Sequence, residues 1–163
     1  MNATLQSMEP EQSEAGQYLS FSLGGEEYGI DILKVQEIKG WEPVRSLPDT
    51  PDYIKGVLDL RGTIVPIIDL RLRFGFMEAA YKPTTVTIIL WVQAGDRQLT
   101  AGIVVDDVFD VLNVTVDAIR QSPDLGSRIN TRYIQGMVTL NERMVLLLDT
   151  DRLLDPDELD RIG

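Results

Sequence analysis

From Gln17 to Leu23 the apolar side chains Leu19, Phe21 and Leu23 alternate with Tyr18, Ser20 and Ser22, the period-two pattern of a strand with one buried face. Gly24-Gly25 then predicts a two-residue hairpin into a second strand from Glu26 to Ile32. Ile32 to Ile38 fits the helical and strand periods equally, so a bend followed by a short strand is expected. Three prolines between Glu42 and Pro51 predict an extended loop. Beyond it, Ile54 to Leu60 and Thr63 to Ile68 read as strands joined at Arg61-Gly62. Further strands are expected over Thr84 to Gln93, Gln98 to Val105 and Val108 to Val114.

The segment Tyr53 to Arg71 recurs in weaker form as Tyr133 to Asp151. Six positions between 53 and 69 carry the same residue 80 further along: Tyr53, Ile54, Gly56, Leu60, Val65 and Asp69. These identities fall at core and turn positions while surface positions diverge, as expected of a duplicated unit whose copies have different walls. In both copies an Asp (Asp69, Asp149) ends the last strand and precedes a short helical pattern, LRLRFG or TDRLL. The carboxylate is placed there to cap exposed helix N–H groups. Gly102-Ile103 likewise echoes Gly29-Ile30, and Gly56, Gly62, Gly102 and Gly136 read as backbone requirements. Many short strands separated by Gly, Pro and Asp predict an all-β fold of two barrel-like lobes, about residues 17–80 and 84–150. Closure removes sheet edges that would otherwise aggregate. Residues 1–16 are polar and acidic and are expected to be a disordered lead-in, and 155–163 an acidic C-terminal tail, leaving 17–154 as the folded part.

Composition removes most catalytic chemistry. The chain has no cysteine, which excludes disulfides, thiolate metal sites and cysteine nucleophiles. It has no histidine either, which excludes the commonest general base, the usual zinc ligand and any Ser-His-Asp triad. No cofactor or metal is predicted. The net charge is −11, of which residues 1–16 carry −3 and residues 149–163 carry −4, leaving a nearly balanced middle. With no basic stripe, binding to nucleic acid or anionic lipid is not expected. No run approaches the roughly 20 apolar residues of a membrane span and the start lacks signal-peptide features, so a cytoplasmic location is predicted.

Four blocks together carry a family resemblance: GIDILKVQEI (Gly29 to Ile38), LPDTPDYIKGVLDLRGTIVPIIDLR (Leu47 to Arg71), GIVVDDVFDVL (Gly102 to Leu112) and YIQGMV (Tyr133 to Val138). In this order and spacing the chain resembles the CheW family of coupling proteins in bacterial chemotaxis, over nearly everything except the tails. The resemblance implies two five-stranded barrels of SH3 type. It implies a non-catalytic adaptor linking the cytoplasmic hairpin tip of methyl-accepting chemotaxis receptors to the regulatory domain of the histidine kinase CheA, clustered beneath membrane-bound receptor arrays. Self-association in array rings stays open, as does service of the same fold in another receptor–kinase pathway. Carried over position by position, the receptor-contacting surface falls on Val35, Glu37, Ile38 and Arg61. Contacts between neighbouring units in the array fall on Arg120 and Leu125.

Plainer explanations exist for each of these residues. Composition alone places Val35 and Ile38 in a core, Arg61 in a solvated turn and Arg120 in an exposed loop. Asp59 stands where the family commonly has Asn, and an acid two residues from Arg61 on one strand face is placed to pair with it. A rival reading takes Asp69 and Asp149 as the paired carboxylates of an aspartic protease, but Asp149-Thr150 is followed by Asp151 where that signature needs Gly. Asp106, Asp107 and Asp110 suggest a divalent-metal cluster, yet strand alternation points them to different faces. A ligand-holding barrel would need a hollow, and barrels of five short strands fill with their own side chains.

Overall fold

The computed structural model describes residues 16–76, 80–121 and 131–162. Residues 1–15 of the expected lead-in, and Leu125, lie outside the described residues. Strands β1 (Gly16–Leu23) and β2 (Glu26–Asp31) form the first hairpin, and a 3-10 turn at Ile32–Lys34 leads into β3 (Val35–Gly40). The ambiguous stretch is therefore a bend followed by a strand. The first half ends with β4 (Ile54–Leu60), β5 (Thr63–Asp69) and helix α1 (Leu70–Arg73). The second half repeats the series as β6 (Val86–Ala94), β7 (Arg97–Val105), β8 (Asp107–Val114), β9 (Ile134–Leu140), β10 (Arg143–Leu148) and helix α2 (Thr150–Leu153).

Among the described residues these strands form two five-stranded sheets, ordered β8-β1-β2-β10-β9 and β3-β6-β7-β5-β4. Neither sheet coincides with one half of the chain, so a division into lobes 17–80 and 84–150 is incorrect. The halves exchange strands. One lobe runs without interruption from β3 to β7, and the other joins β1 and β2 to β8, β9 and β10. Link length explains the exchange: Asp106 alone separates β7 from β8, which is shorter than the two-residue minimum for a common hairpin. The chain cannot turn back onto its own sheet and runs on into the other. Parallel pairs, β2 with β10 and β5 with β7, join the strands contributed by different halves.

Each sheet is closed by the chain leaving one of its edge strands, β3 or β8. Past β3, Arg45 exchanges backbone hydrogen bonds of 3.1 and 2.9 Å with Val57 of β4. Past β8, Arg120 does the same with Met137 of β9, both at 2.8 Å. Alternation then distributes the core: Val65 and Ile67 of β5 point into one barrel with Ile89 and Val104, and Val145 and Leu147 of β10 point into the other with Tyr18 and Leu112. The opposite faces of the same strands (Ile68, Leu146, Leu148), with Phe21, Ile30, Ile88 and Ile103, meet in the largest cluster, which lies between the barrels. Runs such as Ile88-Ile89-Leu90 are apolar without alternation because they serve two cores. At about 1.5–3 kcal/mol for each fully buried aliphatic side chain, this shared layer makes the two barrels one cooperative unit.

The acidic C-terminal segment is not a tail. Helix α3 (Pro156–Ile162) buries Leu159 in the shared core, Asp155 caps it by accepting the Asp157 N–H at 2.9 Å, and Tyr53 donates to Glu158 at 2.6 Å. Asp157 and Asp160 are exposed while Glu158 is half-buried, and their charge is what made the composition read as solvated. Two ion pairs clasp the halves where the chain crosses. Arg71 of α1 meets Asp106 at 3.1 Å, and the other Asp106 oxygen accepts the Gly24 N–H at 2.8 Å. Lys34 meets Asp151 of α2 at 2.7 Å, and the other Asp151 oxygen accepts the Gln93 N–H at 2.9 Å. The first half supplies the cation in both clasps and the second half the anion.

Candidate functional site

Strand β3 lies at an edge of its sheet, paired with β6 on one side. A bulge between Val35 and Glu37 shifts the register, a device that re-aims side chains at sheet edges. Val35 leans on the shared core and is half-buried. Ile38 is 45% exposed, an unusual degree for an isoleucine inside a strand. The β4–β5 hairpin brings Arg61 to this strand: its Nη2 donates to Glu37 Oε1 at 2.6 Å although the residues are 24 positions apart. Glu37 and Arg61 are thus joined, whereas Ile38, the next residue of the strand, points to the opposite face of the sheet, level with Ile88 where Glu37 is level with Ile89, and Val35 packs on the shared core.

Arg61 sits in the tight turn between β4 and β5. Arg61 and Gly62 have φ of +52° and +88°, the primed two-residue turn that suits hairpin twist. A left-handed conformation costs a residue with a Cβ about 1–2 kcal/mol, so glycine or asparagine would fit more cheaply. The second copy has Asn141 here, φ +51°. Glu142, which follows it, has φ +67°, so left-handed turn residues with a Cβ occur in both copies; the Arg61 side chain is 69% exposed. Asp59 does not pair with Arg61, contrary to expectation. Its Oδ1 accepts the Gly62 N–H at 2.9 Å and locks the turn. Ile64, directly opposite Asp59 across the hairpin, adds a second exposed aliphatic side chain. Nothing in the pattern of β5 marked Ile64 as exposed, because it alternates with the buried Val65 and Ile67 as any solvent-facing position does.

The array-contact candidates are not brought to this surface by any described contact. Arg120 closes the β8–β10 barrel through its backbone while its side chain is exposed, and Leu125 lies outside the described residues.

The carboxylates considered for catalysis or metal binding have other work. Asp69 is fully buried and accepts from Arg71 N, Nε and Nη2 at 3.1, 2.9 and 2.8 Å and from the Tyr81 hydroxyl at 2.8 Å. Asp149 caps α2 by accepting the Asp151 and Arg152 N–H groups. Asp106 serves Arg71 and Gly24, and Asp107 accepts from Val108 N–H at 2.8 Å. Trp41 stacks on Tyr81 with ring centroids 4.4 Å apart, and Arg71 also donates to Ala80 O at 2.7 Å, so this network pins the segment before β6. Burial disfavours the Arg71 charge, but the hydrogen bonds and fields of Asp69 and Asp106 outweigh it and hold the guanidinium protonated above its ordinary range.

Burial, then the hydrogen bond to and field of Asp69, raises the Tyr81 hydroxyl above the ordinary phenol value of 10.0. The folded state therefore keeps a proton that the unfolded chain releases, so this contribution is present below pH 10 and is lost as pH rises above it. Tyr81→Phe is expected to flatten the alkaline fall in stability, measured as denaturant midpoints at about pH 9 and about pH 11. An unchanged slope in the variant would contradict this assignment.

The comparisons with known proteins agree with this architecture. Residues 17–158 match the family model of the CheW-like domain. The chain is 49% identical over 143 residues to the chemotaxis protein CheW of Klebsiella aerogenes, covering 88% of this chain and 84% of that one. It is 32% identical over 155 residues to CheW of Helicobacter pylori, covering 95% and 91%. The crystal structure of the scaffolding protein TtCheW from Thermoanaerobacter tengcongensis superposes with a TM-score of 0.76 at 29% identity, covering 86% of this chain and 88% of that one. No helix of the described residues is long and apolar enough to cross a membrane. With two five-stranded sheets, a matching family model and relatives named throughout for chemotaxis, the chain belongs to the CheW family of non-enzymatic chemotaxis scaffold proteins.

Proposed function

We propose that this chain couples the cytoplasmic tip of chemoreceptors to the regulatory domain of the histidine kinase CheA, within arrays beneath the membrane. Its receptor side is assigned to Val35, Glu37, Ile38 and Arg61 on and beside the edge strand β3. The observation that carries the reading is the Glu37–Arg61 pair at 2.6 Å at the edge strand of the sheet. It unites residues distant in sequence. A helical hairpin docks by setting an aliphatic stripe into an apolar contact rimmed by polar groups. Ile38 supplies an exposed aliphatic contact, and the Arg61 fork offers donors to carboxylates or carbonyls on the partner. Contacts with the kinase or with neighbouring units are assigned to other faces, with Arg120 and Leu125 as the candidates.

Arg61→Glu tests the receptor side by placing a second acid against Glu37. Binding of a receptor cytoplasmic hairpin is expected to weaken by about tenfold or more, with kinase-domain binding unchanged and stability altered by less than about 0.5 kcal/mol. Unchanged receptor affinity would remove this surface from the account. A sharply lowered melting temperature would make Arg61 a structural residue instead.

A further inference from the structure

The docking strand begins at a crossover. Asp31 ends β2 in one sheet, the 3-10 turn Ile32–Lys34 spans the junction, and Val35 opens β3 in the other. Asp31 Oδ1 accepts the Leu33 N–H at 2.9 Å and fixes the near end of this turn. The far end is fixed by Lys34 on Asp151 at 2.7 Å. Asp151 is itself held twice: its N–H bonds Asp149 at 3.1 Å, and its second oxygen accepts the N–H of Gln93, near the end of β6. Because β6 is the hydrogen-bonded neighbour of β3, one carboxylate ties the start of the docking strand to the strand beside it and to helix α2.

The other crossover is held differently. Asp106, immediately before β8, meets an Arg71 side chain only 3% exposed that Asp69 also grips. The Lys34–Asp151 clasp is 29% and 31% exposed at its two side chains. β3 therefore starts from the more exposed of the two clasps, three residues before Glu37 and immediately before the bulge between Val35 and Glu37.

We propose that Lys34 and Asp151 are positioning residues for receptor docking: their ion pair pins the start of β3 and so presents Glu37 in register with Arg61. This rests on the receptor-side reading above. Without the pin, the strand start frays, and a partner must re-order it on binding, which lowers apparent affinity by the fraction of molecules in the competent arrangement.

The test is titration of the full-length protein with a receptor cytoplasmic hairpin, comparing Lys34→Met, Asp151→Ala, the double variant and Lys34→Arg. Each single loss is expected to weaken binding by about three- to tenfold. The double variant should be no weaker than Asp151→Ala, since the two residues act through one contact, and Lys34→Arg should remain within about twofold of the parent. Binding of the kinase regulatory domain serves as the control for folding and should be unchanged in all four. Arg61→Glu, run alongside, separates two kinds of failure. If Arg61→Glu weakens receptor binding but Lys34→Met and Asp151→Ala do not, the positioning role is wrong and the docking surface stands. If Arg61→Glu has no effect, the docking surface is wrong and the positioning role goes with it. Additive losses in the double variant would also overturn the proposal.

Discussion

Gly56→Ala is expected to open the β3–β7 barrel and destabilise the protein by about 3–5 kcal/mol. Gly56 has φ +143°, and a Cβ built there would lie 1.9 Å from the carbonyl oxygen of Arg45. The obstacle is backbone, not a side chain that can swing away, and Arg45 is the residue whose bridge to Val57 closes the barrel. The variant must break that bridge or distort β4, and either course displaces the hairpin that carries Arg61. Receptor binding should fall together with stability, unlike Arg61→Glu, where affinity falls alone. Gly136 is the equivalent in the other copy, where the nearest backbone atom, Arg120 O, would be 3.0 Å from the added Cβ, so Gly136→Ala should cost less. Urea unfolding of the two variants checks the order; a loss below about 1 kcal/mol for Gly56→Ala would mean that the Arg45 bridge contributes little to closure.

Arg71→Met is expected to cost about 3–5 kcal/mol, because it leaves the buried Asp69 carboxylate without its cation. The substitution removes side-chain donors to Asp69 at 2.9 and 2.8 Å, the clasp on Asp106 and the bond to Ala80. Only the backbone N–H of residue 71 and the Tyr81 hydroxyl would remain on Asp69. Lys34→Met at the exposed clasp should cost less than about 1 kcal/mol, so the two lysine and arginine changes, alike on paper, separate by burial. Denaturant midpoints of both variants measure the difference. Equal losses would show that the Asp69 network is not the stronger junction.

Local pattern was enough for most elements and not for their partners. The β1–β2 hairpin at Gly24-Gly25, the two copies of β4–β5 and the Asp caps of α1 and α2 each follow from neighbours in sequence. Which sheet β3 and β8 join does not, since pairing is decided between residues far apart. A local clue existed: Asp106 is too short a link for reversal, and no Gly-Gly or Asn-Gly turn separates Ile30 from Val35. Helix α3 was also marked, by Asp155-Pro156 with Leu159 three residues on, but its acids suggested solvent. At the proposed docking surface, Glu37, Ile38 and Arg61 were legible only through the family pattern, as no periodicity joins them. Glu37 as the partner of Arg61, and Asp59 as the lock of the turn, depended on how close β3 runs to the hairpin tip. The crossover clasps were illegible for the same reason, with Lys34 and Asp151 117 positions apart.

The central claim is that one compact chain holds two partners on separate faces, and calorimetric titration tests it most directly. The protein is titrated with a receptor cytoplasmic hairpin, with the CheA regulatory domain, and with each after saturation by the other. Binding of both, with either affinity changed by less than about threefold when the other partner is present, is the predicted result. Mutual exclusion of the two partners, or binding of neither, would contradict it.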